Sequence, residues 1–241
     1  MSIPAPGTDV PPLVAHLAAG RSVAAIWRND LGGVTYRFGD EVVKWFRGHH
    51  WEVDLAAEAD RMTWAGQWAP VPEVMDHGRG RGGQWLRTRA IDAESAVHPS
   101  NAVDPASTVD ALGRGLRRWH DRLPVADCPY RWDIATRLAA RPDPGTGAVE
   151  LAARADQVET DLVVCHGDAC SPNFLVRHGD VVAYVDLGQL GVADRWADLA
   201  PALMSLEWNF GSGWQQHFLR AYGCPLDAEK LEFYSALWDL A

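Results

Sequence analysis

The sequence predicts an α+β chain in two parts, a small antiparallel sheet with one helix followed by a larger, mainly helical part. Three observations carry this. Short β-type runs at 23–27, 34–38 and 42–46 are separated by turns rich in Gly, Asp and Asn. From residue 107 onward apolar residues recur at helical spacing. Between the helical stretches, residues 163–188 read as an apolar run, a polar loop and a hairpin.

In chain order, an irregular lead precedes a short helix around Leu13–Ala19. The three β-type runs follow, joined by Arg28–Gly33 and by Gly39-Asp40. A helix is expected over Trp51–Ala65, ended by Gly66, with Leu55, Ala59 and Met62 on its inner face. Pro70–Met75 reads as a strand, 76–83 as a surface turn and Gln84–Ala90 as the last strand. The second part opens near Asp92, giving segments 1–90 and 91–241. Its first long helix starts at a capping-box-like Ser107/Asp110, carries Val109, Leu112, Leu116 and Trp119 inward, and closes at Pro124. Trp132–Ala140 and Ala148–Val158 read as short helices around a loop at 141–147. Trp196–Leu206, Trp214–Tyr222 and Asp227–Leu240 read as the closing helices, with Pro201 kinking the first or marking its first turn.

Composition excludes several classes. A formal net charge of −10 argues against a nucleic-acid binder and is compatible with a cationic small-molecule partner. No apolar run approaches the ~20 residues of a membrane span, and residues 1–20 lack a basic segment leading into an apolar one. Cys128, Cys165, Cys170 and Cys224 show no zinc-type spacing, so free thiols in a cytoplasmic protein are expected. Lysine is nearly absent: of 22 basic residues only Lys44 and Lys230 are lysines. Lys44 stands in a strand-like run, where a compact ammonium is needed and a guanidinium fork would not fit.

Within 163–188 three polar side chains interrupt apolar flanks: Asp168, Asn173 and Asp186. A two-residue turn at 178–179 or 179–180 sets Asn173 opposite residue 184 or 186, which share a face and so bring Asp186 close. Two oxygen ligands for a hard cation, beside a carboxylate able to act as a base, suit Mg²⁺-dependent phosphoryl transfer. A second constellation lies upstream. Glu58 is three residues after Leu55 and four before Met62, so it points inward. A buried carboxylate needs a partner, and Lys44 on the neighbouring strand supplies one.

His166-Gly167-Asp168-x-x-x-x-Asn173, followed by Asp186-Leu187-Gly188, resembles the catalytic and metal-binding motifs of the aminoglycoside phosphotransferase family, whose members resemble protein kinases. The resemblance implies a two-lobed protein-kinase-like fold, with ATP (GTP not excluded) and Mg²⁺ as cofactors, in a monomer or weak dimer. It assigns Asp168 as the catalytic base, Asn173 and Asp186 to the metal, and Lys44 held by Glu58 to the nucleotide phosphates. It puts adenine readout on the backbone at Thr88 and Ala90, and structural support on His166 and Asp198, the latter bonding back to the catalytic-loop backbone. The site is then expected as a cleft between two lobes. Acceptor acids are sparse: the family's C-terminal acidic pattern is reduced to Asp239, and an Arg-Asp pair is replaced by Met204 and Ser205. Glu207, Asp239 and the C-terminal carboxylate remain as acidic candidates. The motifs specify the reaction of an O-kinase, and the resemblance implies an aminoglycoside or related aminosugar as the acceptor. A metabolic kinase for another hydroxylated acceptor and a nucleotide-binding module without turnover stay open as alternatives.

Overall fold

The computed structural model describes residues 4–5, 7–80, 82–101, 103–140 and 145–240. They divide into two compact units. One extends to Gly66 and resumes over Pro72–Asp92; the other takes Gln67–Val71 and the chain from Ala93 onward.

The first unit is an antiparallel sheet with two helices. β1 (Ala24–Arg28), β2 (Val34–Phe38), β3 (Glu41–Phe46), β4 (Val74–Gly80) and β5 (Gly83–Arg89) lie in the order β1-β2-β3-β5-β4. Side chains alternate, so Val34, Tyr36 and Phe38 share one face with Val43 and Trp45. That face buries against Val14 and Ala18 of α1 (Pro12–Ala18). Each large apolar side chain removed from water contributes about 1.5–3 kcal/mol. Lys44 has the opposite parity, and α2 (Leu55–Ala65) packs on β4 and β5. α2 buries Leu55, Glu58, Ala59 and Met62.

Three boundaries differ from the sequence reading here. α2 begins at Leu55 and not Trp51, because the Asp54 side chain accepts from the backbone N–H of Ala56 and Ala57 and caps the helix. The expected turn at 76–83 is mostly strand, with β4 and β5 paired as far as Gly80 and Gly83. Gly78 makes this possible: it faces Trp85, and a Cβ there would lie 2.4 Å from the indole ring. The strand expected from Pro70 starts at Val74; Pro70 itself belongs to the second unit, where its carbonyl accepts from the backbone N–H of Tyr184 (3.1 Å).

The second unit is built on α3 (Pro105–Arg122), which buries Val109, Leu112, Leu116 and Trp119. Its start signal is Asp104-Pro105 and not Ser107: the Asp104 side chain accepts from the Ser107 N–H, with Pro105 in the first turn. α4 (Ile134–Ala139) and α5 (Gly145–Val158) follow. α4 is shorter than read because Asp133 caps it at Thr136. α5 starts inside the expected loop, of which residues 141–144 lie outside the described ones. β6 (Glu94–Ser95), β8 (Phe174–Arg177) and β9 (Asp180–Tyr184) form one small sheet. β7 (Leu162–Cys165) and β10 (Gly191–Asp194) form another. β10 escaped the sequence reading because four residues of Gly-Val-Ala-Asp look like the lead into a helix. α6 (Trp196–Phe210, with Pro201 inside), α7 (Gln215–Tyr222) and α8 (Ala228–Asp239) complete the unit. The Trp119 indole N–H donates to the Val164 carbonyl (3.0 Å) and ties α3 to β7.

Candidate active site

β7 delivers the chain into a loop at His166, and a tight turn over Ser171–Asn173 returns it into β8. Gly167 has φ +88°, and a Cβ there would meet the Gln189 carbonyl oxygen at 2.2 Å, so only glycine fits. The β8–β9 hairpin turns at His178 and Gly179, both at positive φ. Its register corrects the sequence reading. Val176 pairs with Val181 but Leu175 pairs with Ala183, so Val182 is an extra, bulged residue. Asn173 therefore faces Val185, whose N–H donates to the Asn173 carbonyl (3.0 Å). Asp186 comes next at φ +66°, a left-handed conformation that Asp tolerates better than most residues. That bend, and not strand alternation, sets where Asp186 points.

Asp168, Asn173 and Asp186 gather in this one loop and hairpin. The Asn173 side-chain amide donates to the Asp168 carbonyl (2.9 Å), which leaves its amide oxygen as the atom to offer a cation. The Asp168 Oδ1 is buried without a hydrogen-bond partner. Burial, and after it the charge of Asp186, raises the Asp168 carboxyl above its usual range; donors on Cys170 and Asn173 offset this. Two neighbouring carboxylates and an amide oxygen are the hard oxygen set that suits a dication such as Mg²⁺.

The loop is held from behind. Asp198, fully buried on α6, accepts from the backbone N–H of His166 (2.6 Å) and Gly167 (2.9 Å). It also meets the His120 Nε2 (3.0 Å), whose Nδ1 contacts the Tyr222 hydroxyl (2.7 Å). His166 is buried between Trp119 and Phe174, and burial lowers its pKa, keeping the ring neutral. His120, Cys165 and Asp198 bring potential ligand atoms within 4.8 Å of one another. With Asp198 committed to three donors, this is a structural knot. Residue-by-residue reading missed a further network: Ser171, Ser205 and Asn209. The only signal was spacing, Ser205 standing seven residues after Asp198 on a helix.

In the first unit the Lys44 ammonium meets both carboxylate oxygens of Glu58, at 2.8 and 3.1 Å. Thr88 is buried on β5 in register with Val42. The N–H of Ala90, the other residue expected at the adenine edge, donates to the Asp40 carbonyl (2.8 Å) and extends the β3–β5 ladder. Of the acidic acceptor candidates, Glu207 does not face the loop. Glu207 is exposed on α6, about 200° around the helix from Ser205, which faces the loop. Asp239 is exposed at the end of α8, and the terminal residue lies outside the described ones.

A loop and hairpin carrying two carboxylates and an amide in one unit, and a strand lysine paired to a helix glutamate on a five-stranded antiparallel sheet in the other, are the parts of a protein-kinase-like phosphotransferase. Comparison with known proteins agrees. The model of the phosphotransferase enzyme family (APH) matches residues 15–234. Aminoglycoside 3'-phosphotransferase of Streptomyces fradiae is 37% identical over 213 residues, covering 76% of this chain and 78% of the relative. Streptomycin 3''-kinase of Streptomyces griseus is 36% identical over 212 residues, covering 75% and 77%. The solved structure of aminoglycoside phosphotransferase APH(3'')-Id from Streptomyces rimosus, in complex with ADP and streptomycin, superposes with a TM-score of 0.69. It is 28% identical and covers 96% of this chain and 99% of that one. The chain belongs to the APH phosphotransferase enzyme family and has its protein-kinase-like α+β fold.

Proposed function

We propose that this protein is an ATP-dependent O-phosphotransferase that transfers the γ-phosphate to a hydroxyl of an aminoglycoside or related aminosugar. The observation that carries the reaction type is the gathering of Asp168, Asn173 and Asp186 in one loop and hairpin, pinned by Asp198. The names of the relatives support the acceptor class. ATP as phosphoryl donor is supported by the ADP complex of the Streptomyces rimosus enzyme, and a reaction that draws on ATP belongs in the cytoplasm. Among the described residues no helix is long and apolar enough to cross a membrane.

Residues 1–90 serve the nucleotide and residues 91–241 serve catalysis and the acceptor. The Asp168 carboxylate accepts the proton of the acceptor hydroxyl and aims its oxygen at the γ-phosphorus. Asn173 and Asp186 would hold Mg²⁺, which would neutralise phosphate charge and offset the charge of Asp186 beside Asp168. Lys44, fixed by Glu58, neutralises nucleotide phosphates; Thr88 lines the adenine side, with backbone readout passing to Ile91. His166 and Asp198 hold the loop. Little covalent work falls to the protein, so placement and charge account for most of the acceleration.

The distribution of acidic groups favours a second reading. With Glu207 facing away from the loop and Asp239 exposed at a helix end, a less cationic hydroxylated acceptor becomes the competing substrate. Asp168→Asn tests the reaction assignment. Turnover should fall by about 10²–10⁴-fold while nucleotide binding, followed by calorimetry, is kept. Turnover within a few fold of the parent would sink the base assignment.

A further inference from the structure

We propose that Ser205 is a positioning residue for the catalytic loop, a second pin that fixes the loop from its far side, with Asn209 orienting it. The proposal rests on Asp168 being the base and goes beyond that assignment to say what holds the base still.

Asp198 and Ser205 are both fully buried and seven residues apart on α6. At about 100° and 1.5 Å per residue they share a face, about 10 Å apart along the axis. The loop bridges this distance. Its first residues, His166 and Gly167, donate backbone N–H groups to Asp198. Its turn donates the Ser171 N–H to the Ser205 Oγ at 2.8 Å. Asp168 lies between the two pins in sequence, and Asn173 stands two residues after the second.

The Ser205 hydroxyl is not in the usual arrangement for a helical serine, which bonds back to the carbonyl four residues earlier. It donates to the Ser171 Oγ (3.2 Å) and accepts from the Ser171 N–H and from the Asn209 side-chain amide (3.2 Å). A hydroxyl has one donor and two acceptor directions, and all three are engaged. Asn209 adds a bond from the same amide to the Ser205 carbonyl (2.7 Å), so one residue fixes both the side chain and the turn carrying it. Losing Ser205 leaves a buried N–H in the loop without its acceptor. The turn then drifts, and a displacement of about 1 Å at a reacting group costs about 10²-fold.

The experiment compares steady-state kinetics of Ser205→Ala, Asn209→Ala and Ser171→Ala in the full chain, with Asp168→Asn alongside and folded protein counted by nucleotide-binding stoichiometry. Ser205→Ala should lower kcat by about 10–100-fold with the KM for nucleotide within about twofold. Asn209 is exposed and its removal spares the fold, so Asn209→Ala should lower kcat by about 3–10-fold. Ser171→Ala keeps the backbone N–H that Ser205 holds and should stay within about threefold. If Ser205→Ala and Asn209→Ala keep the parental kcat while Asp168→Asn is inactive, the second pin is refuted and the base assignment stands. If Ser171→Ala loses as much as Ser205→Ala, the loss reports general packing and the proposal is overturned. An active Asp168→Asn would remove the base assignment, and the proposal with it.

Discussion

Lys44 and Lys230, the two lysines among 22 basic residues, each end on a buried carboxylate, and the surroundings of the two pairs differ. In the first unit the Lys44 ammonium spans both oxygens of Glu58, joining a strand to a helix 14 residues on. In the second unit the Lys230 ammonium sits 2.5 Å from the Asp194 Oδ2 and 3.0 Å from the Thr160 hydroxyl. Asp194 also accepts from the backbone N–H of Thr160, Asp161 and Trp196, so four donors surround it. Lys230 thus closes a knot among three distant segments and is a structural element. Scarcity of lysine marks places where a compact ammonium meets a buried acid. It does not by itself distinguish a catalytic lysine from a structural one; the partners of the acid do.

That contrast can be broken by experiment. Lys230→Met should have the largest effect on the fold, about 3–5 kcal/mol, since it strands a fully buried carboxylate. Thermal denaturation reads the loss, while kcat per folded molecule stays near the parent. A matching fall in kcat would place Lys230 in catalysis after all. Lys44→Met should reverse the pattern, lowering kcat/KM by about 10²–10³-fold with a stability cost of about 1–3 kcal/mol. The smaller stability cost follows from Glu58 lying in the first turn of α2, where the helix dipole favours its charge. Asp54→Ala gives the smallest effect. Removing the α2 cap should cost about 1 kcal/mol in a urea melt. It should lower kcat/KM only slightly, as Glu58 shifts with the frayed helix end.

The sequence was most readable where chemistry and periodicity coincide. Lys44 and Glu58 emerged from a strand run and a helix face, and Asp168, Asn173 and Asp186 from polar residues in apolar flanks. The details that escaped are those a one-dimensional pattern does not carry. The Val182 bulge shifts the hairpin register by one residue, so Asn173 faces Val185 and the placement of Asp186 depends on a left-handed bend. The backbone bond from Ala90 to Asp40, which engages one of the groups expected at the adenine edge, leaves no side-chain trace. Helix starts were misplaced where an aspartate cap lay a few residues from a rival signal: a tryptophan near Asp54 and Asp133, a capping-box-like Ser107 near Asp104. The acidic acceptor candidates were chosen by charge alone, and Glu207 proved to lie on the far side of its helix from the loop.

The central claim is phosphoryl transfer to an aminosugar hydroxyl with Asp168 as base. Its most direct test is mass spectrometry of a panel of aminoglycosides incubated with the purified chain, ATP and Mg²⁺, with Asp168→Asn as control. The account predicts a single phosphate adduct on at least one aminoglycoside with the parent chain, forming about 10²–10⁴-fold more slowly with the variant. ATP consumption that phosphorylates other hydroxylated compounds and leaves every aminoglycoside unmodified would contradict it.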